Sequence, residues 1–355
     1  MLKSISCVIP STRYLTTLPL TVQSILSSID NPQQLLIYQD GEQSFDFNTH
    51  PLWKFIFTMA SNKQIEVNVV KTGGGQGMVR CWADANRATK HRLIWRVDDD
   101  MVVEPTTLSL LCETWDKEKP GAISGIVAGP GQILPCPPWA DGKMRRNNFC
   151  PQNHSNATVK DVEFLVSSYI YDKTIGSWYP LELSPMAHTE DIQHSHEIFR
   201  KGHKLIIDNR ALTWHYSYPQ GGCREMKDSD ITGQGRQHDD NVFIKYCDER
   251  NIAEGTQPLV IPIGHGYGDA IVFRNVLDKI LPYYKKPVYI ATNFPKVFEG
   301  INGVLTCSFS DALAIGLNSL EISIYNYMAR TNWKGHISDA YISMFTQDRE
   351  NISGQ

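Results

Sequence analysis

The chain has 355 residues, of which 41% are hydrophobic and 20% charged, and its formal net charge is −4. That length is enough for two domains with full cores, and the mild acidity excludes a uniformly basic nucleic-acid binder, although a local basic patch stays open. The eight cysteines lack paired spacing, and no apolar run reaches about 18 residues, so we expect a cytoplasmic protein without an integral membrane segment, disulfide framework or zinc site.

The first part of the chain alternates between strand and helix patterns. A β-rich run closes at Pro10 and Ser11, and helical spacing follows from Leu20 to Ile29. A second strand ends before Asp40, and a third, Ile65 to Val70, ends in the glycine-rich loop 72–77. Strand, loop and helix repeated in this way predict a parallel sheet with its ligand at the carboxyl ends of the strands.

Three adjacent aspartates, Asp98, Asp99 and Asp100, follow the apolar strand Leu93–Trp95. Carboxylates this close repel one another, and a divalent cation is the usual way to make them tolerable. A cation held by Asp oxygens can hold a diphosphate in turn. Because alternate side chains of an extended segment point to opposite sides, Asp99 is expected to face away from the other two. The alternative is an acidic surface turn without a ligand.

Five motifs in this order resemble the GT-A glycosyltransferases, in particular the large inverting family 2, over residues 1–250. They are Pro10 with Ser11, Asp40-Gly41, Gly77 with Arg80, Asp98-x-Asp100 with Pro105, and Thr189-Glu190-Asp191 before the strand at 204–208. The resemblance implies an α/β GT-A fold, a Rossmann-like mixed sheet flanked by helices. It also implies a nucleotide-sugar donor, with UDP favoured, and Mn2+ or Mg2+ bound at a DxD motif.

The resemblance also assigns roles to individual residues. Donor-binding residues would be Pro10, Thr12, Arg13, Asp40, Gly77, Arg80, Asp98 and Asp99, and metal ligands would be Asp98, Asp100 and His215. A carboxylate at Asp40 can accept the imide N–H of uracil, although Asp-Gly also simply forms turns. Arg80 resembles the basic residue near the donor, but an arginine at that helix position can also pair with a surface acid.

Asp191 is the expected catalytic base, which would take the proton of the acceptor hydroxyl. Glu190 would orient this base or bind acceptor hydroxyls. Helix capping is the competing interpretation, because acids are favoured in a first helical turn without any catalytic role. The resemblance favours inversion at the anomeric carbon, and a retaining enzyme with the same metal motif stays open.

The histidines fall into two groups. His215 lies at a place where some GT-A enzymes complete the metal shell, and imidazole suits Mn2+ beside carboxylates. His194 and His196, two residues apart on a predicted helix, point away from each other. We therefore expect them at the surface or facing the acceptor rather than at a second metal site.

Two segments and several aromatic residues are expected around the acceptor. Residues 129–156, with several prolines, predict a long loop over the site, and residues 218–240 predict a flexible flap that closes on the nucleotide. The aromatic side chains Trp139, Trp178, Tyr179 and Trp214 can stack on sugars or bases, or simply fill a core.

A second, smaller α/β domain is predicted over residues 257–346. The strand 258–263, the turn Gly264–Asp269, the helical pattern 270–281 and the strand 288–291 form half of a Rossmann-like unit. The unit resembles the start of a GT-B heptosyltransferase-type domain, but too little chain follows for a complete nucleotide-binding domain. An accessory module is the favoured interpretation, with His265 and Asp269 the residues to test otherwise. Residues 347–355 are expected to fray.

Together these features predict a hexosyl- or pentosyltransferase. Its acceptor would be a saccharide or glycoconjugate, or hydroxymethylated phage DNA, because a soluble acceptor agrees with the absence of a membrane anchor. The alternative is a noncatalytic nucleotide-sugar-binding or scaffolding protein. The clustered carboxylates favour the enzyme, and the oligomeric state stays open.

Overall fold

The computed structural model describes residues 4–129, 142–146, 158–216, 235–253, 259–263, 266–283, 288–307, 309 and 324–347. Most of the predicted loop 129–156, most of the predicted flap, Trp139, His265 and the residues after 347 lie outside this set. Clustering of contacts divides the chain into two compact units, one within residues 1–254 and one mainly within residues 255–355.

The strands described for the first unit form one mixed, nine-stranded sheet in the order β3-β2-β1-β4-β8-β6-β9-β5, with β7 also paired to β9. Their bounds are β1 Ile5–Ser11, β2 Gln34–Gln39, β3 Glu66–Lys71, β4 Leu93–Arg96, β5 Met101–Val103, β6 Ala122–Ala128, β7 Val159–Val162, β8 Tyr169–Asp172 and β9 Leu205–His215. The four strands β3, β2, β1 and β4 run parallel to one another, as predicted.

Helices cover both faces of this sheet. Their bounds are α1 Leu18–Leu26, α2 Pro51–Asn62, α3 Met78–Ala88, α4 Thr107–Glu118, α5 Glu190–Arg200 and α6 Gly235–Glu249. Strand β1 is buried throughout, with Cys7 and Ile9 in the core beneath α1, α2 and α4, and Val8 in the core beneath α3 and α5. A strand buried on both faces explains the continuous apolar run that marked it in the sequence.

Helix α6 corrects part of the predicted flap. Residues 235–240, the end of that segment, form the first turns of a regular helix. Its buried apolar residues, Phe243, Tyr246 and Cys247, belong to a small apolar cluster with Phe164 and Ile192. The polar run Gly-Arg-Gln-His-Asp-Asp concealed the helix, because the apolar residues that pack it lie in its second half.

Strand β9 contains an irregularity that positions its end. Opposite the parallel strand β6, Gly125 pairs with Asp208 and the next residue, Ile126, pairs with Leu212. Three residues of β9 are therefore unmatched, as in an extended β-bulge. A Cβ atom at Gly125 would lie 2.4 Å from the carbonyl oxygen of Ala211, so the bulge requires glycine at this position. Beyond the bulge, β9 pairs antiparallel with β5, and Met101 lies opposite His215.

The second unit contains a three-stranded parallel sheet, β10 Leu259–Ile263, β11 Val288–Thr292 and β12 Val304–Cys307, in sequential order. The helices described for it are α7 Tyr267–Ile280, α8 Ile324–Arg330 and α9 Ile337–Gln347. The unit β10-α7-β11 is the predicted strand, helix, strand arrangement, and it shares an apolar core with α8 and α9. The likeness to a heptosyltransferase-type domain stays a prediction.

Across the parts of both units that the structure describes, no helix combines the length and apolar character that a membrane span requires.

Candidate active site

A cavity of about 580 Å3 lies at the carboxyl ends of the parallel strands β1, β2 and β4. Its lining includes Pro10, Ser11, Thr12, Arg13, Asp40, Gly77, Asp98, Asp99, Asp100, Pro185, His188, Glu190, Asp191, His215 and Arg236. The structure thus brings together all the residues predicted to bind donor or metal except Arg80, and it adds both predicted catalytic acids. The residues come from strand ends that are far apart in sequence, as expected for a parallel sheet.

Asp40 holds the glycine-rich loop in place. Its carboxylate accepts hydrogen bonds from the backbone N–H groups of Gln76 and Gly77, at 2.9 and 2.8 Å, and from the Thr72 hydroxyl at 2.6 Å. Three donors therefore fix this carboxylate before any ligand binds. The loop can turn this tightly because Gly73, Gly74, Gly75 and Gly77 all have positive φ, which glycine adopts without a steric penalty.

The aspartate triplet lies between β4 and β5, and Asp99 and Asp100 form a turn rather than an extended segment. Asp99 therefore does not face away from the other two as strand alternation predicts, and all three aspartates line the cavity. Asp99 accepts hydrogen bonds from the Ser11 hydroxyl, at 2.5 Å, and from Arg13 Nη1, at 3.2 Å. Burial raises the pKa of Asp99 to about 6, against the opposing influence of Arg13 and Ser11.

Asp100 is the best compensated of the three carboxylates. His215 Nε2 lies 3.0 Å from its Oδ1, and Arg13 Nη1 lies 2.9 Å from its Oδ2. Burial disfavours the charged form, but His215 and Arg13 outweigh that penalty and lower the pKa of Asp100 to about 2. The contact with His215 depends on the pairing of β9 with β5. Because β5 begins directly after Asp100, this pairing brings His215, at the end of β9, next to Asp100.

The negative charge of Asp98 is the least compensated of the three by neighbouring groups. Its Oδ1 is buried, and among the described residues it has no hydrogen-bond partner. Burial raises the pKa of this carboxyl to about 7, although His215 and Arg96 favour its charged form. A buried carboxylate oxygen without a donor normally marks a place where a water or an ion belongs.

The chemistry of Asp98, Asp100 and His215 fits a divalent cation, because two carboxylates and an imidazole are suitable ligands for Mn2+. The orphaned oxygen of Asp98 is the structural observation that supports this fit. Within the described ranges, no three such side chains already converge as a complete ligand set. Asp100 and His215 are instead bonded to each other, so an ion would have to replace that bond.

Asp191 lies half-buried on the cavity wall in the first turn of α5. Its Oδ1 accepts from the backbone N–H of Ile192 at 2.8 Å, and its Oδ2 accepts from that of Ser167 at 2.6 Å. The two backbone donors hold the carboxylate in one orientation while it still lines the cavity.

Glu190, its neighbour, is turned toward the protein interior. Arg96 donates to both of its carboxylate oxygens, with Nη1 3.0 Å from Oε2 and Nη2 in contact with Oε1. Burial raises the pKa of Glu190, and the charge of Arg96 opposes that rise. Because an arginine engages both oxygens of Glu190 and the residue is almost fully buried, this geometry agrees with the predicted orienting role better than with binding of acceptor hydroxyls.

The loop before α5 is fixed from the opposite side by α6. Asp239, fully buried, accepts from the backbone N–H and hydroxyl of Ser184 at 2.6 and 2.8 Å and from the N–H of His188 at 2.9 Å. Ala187 and Thr189 in this loop have φ of 58° and 69°. Positive φ raises the energy of a residue that has a Cβ atom. The hydrogen bonds of this loop to Asp239 therefore stabilise a backbone conformation that these residues would otherwise rarely adopt.

The structure corrects the interpretation of His194 and His196, which are both buried. His194 shares a 2.7 Å hydrogen bond with the Tyr169 hydroxyl and stacks on Tyr179, with 4.2 Å between ring centroids. Burial lowers the pKa of His194 to about 3 and that of His196 to about 4. The two side chains point apart on the helix, as their spacing predicts. Both, however, are packed inside the protein and face neither solvent nor the acceptor side.

Two arginines differ from expectation. Arg80 is exposed on α3 and lines a separate hollow of about 170 Å3, beyond the contact between Gly77 and Pro185. Arg236, in the first turn of α6, lines the main cavity. Arg236 is exposed. Sequence reasoning missed Arg236 because the preceding segment offered no strand end or motif from which to place it.

Three of the four predicted acceptor aromatics, Trp178, Tyr179 and Trp214, do not line the main cavity. Trp178 and Tyr179 line a distinct hollow of about 430 Å3 beside α6. Trp214 is 38% exposed and donates from its indole nitrogen to Glu104.

Comparison with solved structures identifies this architecture. The chain aligns with the crystal structure of GalNAc-T7 with UDP, GalNAc and Mn2+ at a TM-score of 0.53 and 11% sequence identity, over 70% of this chain and 48% of that chain. It also aligns with S. aureus TarS in complex with UDP-GlcNAc, at a TM-score of 0.47 and 12% identity over 70% of this chain and 72% of that one. For TarS in complex with UDP the TM-score is 0.44, with 15% identity and 61% of each chain covered.

The chain thus spans about half the length of the GalNAc-T7 chain. No protein-family model matches the sequence, and no curated protein does so either. At 11% identity, the alignment with GalNAc-T7 establishes the fold alone. The predicted fold class is confirmed: the large unit has a GT-A fold, and a smaller α/β unit follows it.

Proposed function

We propose that this chain is a glycosyltransferase that moves a sugar from a nucleotide-diphosphate sugar to an acceptor hydroxyl. One observation carries the proposal. A single cavity, at the carboxyl ends of the parallel strands of a GT-A fold, brings Asp98, Asp100 and His215 together with Asp191. Three side chains suited to binding a divalent cation therefore line the same cavity as a carboxylate that is held in one orientation.

A UDP-sugar is the favoured donor. The volume of about 580 Å3 lies within the range of pockets that bind small ligands. The GalNAc-T7 structure, which contains UDP and Mn2+, supports the same donor class here. The proposed donor-binding residues are Pro10, Thr12, Arg13, Asp40, Gly77, Asp98 and Asp99, and Arg236 is added to them.

Asp98, Asp100 and His215 would hold Mn2+ or Mg2+. A divalent cation bound there would neutralise charge on the diphosphate. The protein itself contributes Arg13, which pairs with Asp99 and Asp100 and helps to keep Asp100, one of the proposed ligands, in its charged form.

Asp191 would act as the base in a single displacement. Its carboxylate takes the proton of the acceptor hydroxyl, the acceptor oxygen forms a bond to the anomeric carbon, and the bond from that carbon to the diphosphate oxygen breaks. The nucleoside diphosphate leaves with the bonding electrons, and the anomeric configuration is inverted. The two backbone donors that fix Asp191 favour this role, because a base must be held within reach of its proton.

The acceptor is proposed to be a saccharide or glycoconjugate, or hydroxymethylated DNA. The domain assignment is likewise a proposal, with a catalytic domain over residues 1–250 and an accessory domain over residues 257–346.

A nucleotide-release assay tests the function. The wild-type protein is incubated with UDP-, GDP- and CDP-sugars, each with Mn2+ or with EDTA. We expect slow release of one nucleotide, dependent on metal, that is lost in Asp100→Ala. Asp191→Asn should retain donor binding but stop transfer, whereas Asp116→Asn, an exposed acid of α4 outside the cavity lining, should behave as wild type. Binding without turnover for every donor would favour a noncatalytic nucleotide-sugar-binding protein.

A further inference from the structure

A buried ion pair lies behind the first turn of α5. Arg96 and Glu190 are 1% and 4% exposed, and the arginine engages both carboxylate oxygens. Ion pairs of this kind contribute little net stability, because removing two charges from water offsets their attraction. Their geometry, however, is strict, since a bidentate arginine fixes the carboxylate in both distance and plane.

Arg96 is itself held rigidly. Its guanidinium lies over the rings of Trp82 and Tyr169, with 4.4 and 4.8 Å to their centroids. It also donates from Nη1 to the Tyr169 hydroxyl at 3.1 Å. An arginine stacked on aromatic rings and bonded in its plane has few alternative rotamers.

Two paths lead from Arg96 to Asp191. The first is covalent, because Glu190, which Arg96 grips, is the residue directly before Asp191. The second runs through Ser167. Arg96 Nε donates to the Ser167 carbonyl at 3.1 Å, and the Ser167 N–H donates to Asp191 Oδ2 at 2.6 Å. One guanidinium thus fixes both the backbone that carries Asp191 and the donor that orients its carboxylate.

We propose that Arg96 is a positioning residue for the reaction, which sets the direction of the Asp191 carboxylate through Glu190 and Ser167. This inference rests on the proposed function, in which Asp191 is the base. Arg96 does not line the cavity, so it acts through its neighbours and not on substrate. A misplacement of about 1 Å can lower a rate about 100-fold.

The same helix offers a matched control. Arg250 donates from Nε to Glu197 Oε1 at 2.6 Å and stacks on the Tyr246 ring, with 3.8 Å to its centroid. Both side chains of that pair are 14% exposed. Glu197 lies two turns beyond Glu190 on α5, and neither Glu197 nor Arg250 lines the cavity.

The experiment compares Arg96→Lys with Arg250→Lys at a temperature well below both unfolding midpoints. We expect both substitutions to lower the unfolding temperature. Only Arg96→Lys should lower kcat, by about 100-fold, while Mn2+-dependent binding of the donor nucleotide, measured by calorimetry, stays within about twofold of wild type. If Arg96→Lys does not fold, Tyr169→Phe, which keeps the ring but removes one acceptor, should lower kcat about threefold to tenfold with unchanged donor binding.

Wild-type kcat in Arg96→Lys would overturn the proposal, as would an equal loss of kcat in Arg250→Lys or a parallel loss of donor binding. These outcomes differ from a failure of the function itself. A wild-type protein that turns over no donor would remove both proposals, and full activity in Asp191→Asn would remove the base assignment on which this one rests.

Discussion

The backbone of Gly77 lies against Pro185 so closely that a Cβ at Gly77 would lie 2.6 Å from the proline Cα. This contact joins the start of α3 to the loop before α5, and both segments line the cavity. Gly77 also has φ of 85° and ψ of 160°, a combination that only glycine adopts readily.

Substitution of Gly77 should therefore cost stability and ligand binding together. We expect Gly77→Ala to lower the free energy of unfolding by roughly 3 kcal/mol or more and to weaken nucleotide binding, as measured by denaturant unfolding and calorimetry. Gly73→Ala is the control, because Gly73 has φ of 90° but no atom near its added Cβ. It should cost about 1 kcal/mol. Equal costs at the two positions would mean that the contact with Pro185 is unimportant.

Substitution of Asp98 and of Asp100 should have opposite effects on protein stability but the same effect on metal-dependent nucleotide binding. Folding raises the pKa of Asp98 from 3.8 to about 7, so stability is lost as the pH rises through that range. Asp98→Asn should then raise the unfolding temperature at pH 8 by about 2 °C or more. Folding lowers the pKa of Asp100 to about 2, so Asp100→Asn should cost about 2 kcal/mol at the same pH.

Both substitutions should nevertheless weaken Mn2+-dependent nucleotide binding, by about tenfold or more. Thermal unfolding at pH 8 and calorimetry with and without Mn2+ test the pair. If Asp98→Asn destabilised the protein and left the metal dependence intact, Asp98 would be a structural residue rather than a ligand.

Arg236 and Arg80 should differ in their contribution to donor binding. Arg236 lines the cavity and Arg80 lies outside it. A diphosphate in the cavity would gain a charge-assisted hydrogen bond from Arg236, so Arg236→Ala should raise the KM for the donor about tenfold. Arg80→Ala should change it less than about twofold. The reverse result in steady-state kinetics would restore the role that the sequence pattern favoured for Arg80.

The buried His194 should make the protein sensitive to acid. Its pKa falls on folding from 6.5 to about 3, so the unfolded chain binds a proton that the folded chain excludes. Stability is therefore complete above pH 6.5 and is lost below it, at about 1.4 kcal/mol per pH unit until the folded pKa is reached.

His194→Asn removes this titration at some cost in packing. Between pH 6.5 and 4, its unfolding free energy should fall less steeply with falling pH than that of wild type. Parallel slopes for wild type and His194→Asn would show that His194 contributes nothing to acid sensitivity.

Residues at strand ends could be placed from the sequence, because their position depends on local pattern and a general property of parallel sheets. Pro10, Asp40 and Asp100 belong to this group, and all three line the cavity. Arg96, Arg236 and Asp239 could not be found in this way. Arg96 is separated from Glu190 by 94 residues, and no local pattern links the two.

The remaining differences also arise from packing. A helical period shows which residues share a face but not what that face contacts, so it could not show that Tyr179 covers His194, which was expected at the surface or facing the acceptor. The place of Arg80 near the donor was implied by the family resemblance, which does not specify how α3 is rotated. Strand alternation does not apply to Asp99, because Asp99 and Asp100 form a turn.

The bulge in β9 has a consequence for how this site could change over time. Residues 209–211 have no partners in β6, so a residue gained or lost there changes the size of the bulge and preserves the register of β9 with β6 and β5. Only a shift of that register by one residue would turn the later side chains to the other face of the sheet and move His215 away from Asp100. The bulge thus shields the contact between His215 and Asp100 from changes in the length of this segment.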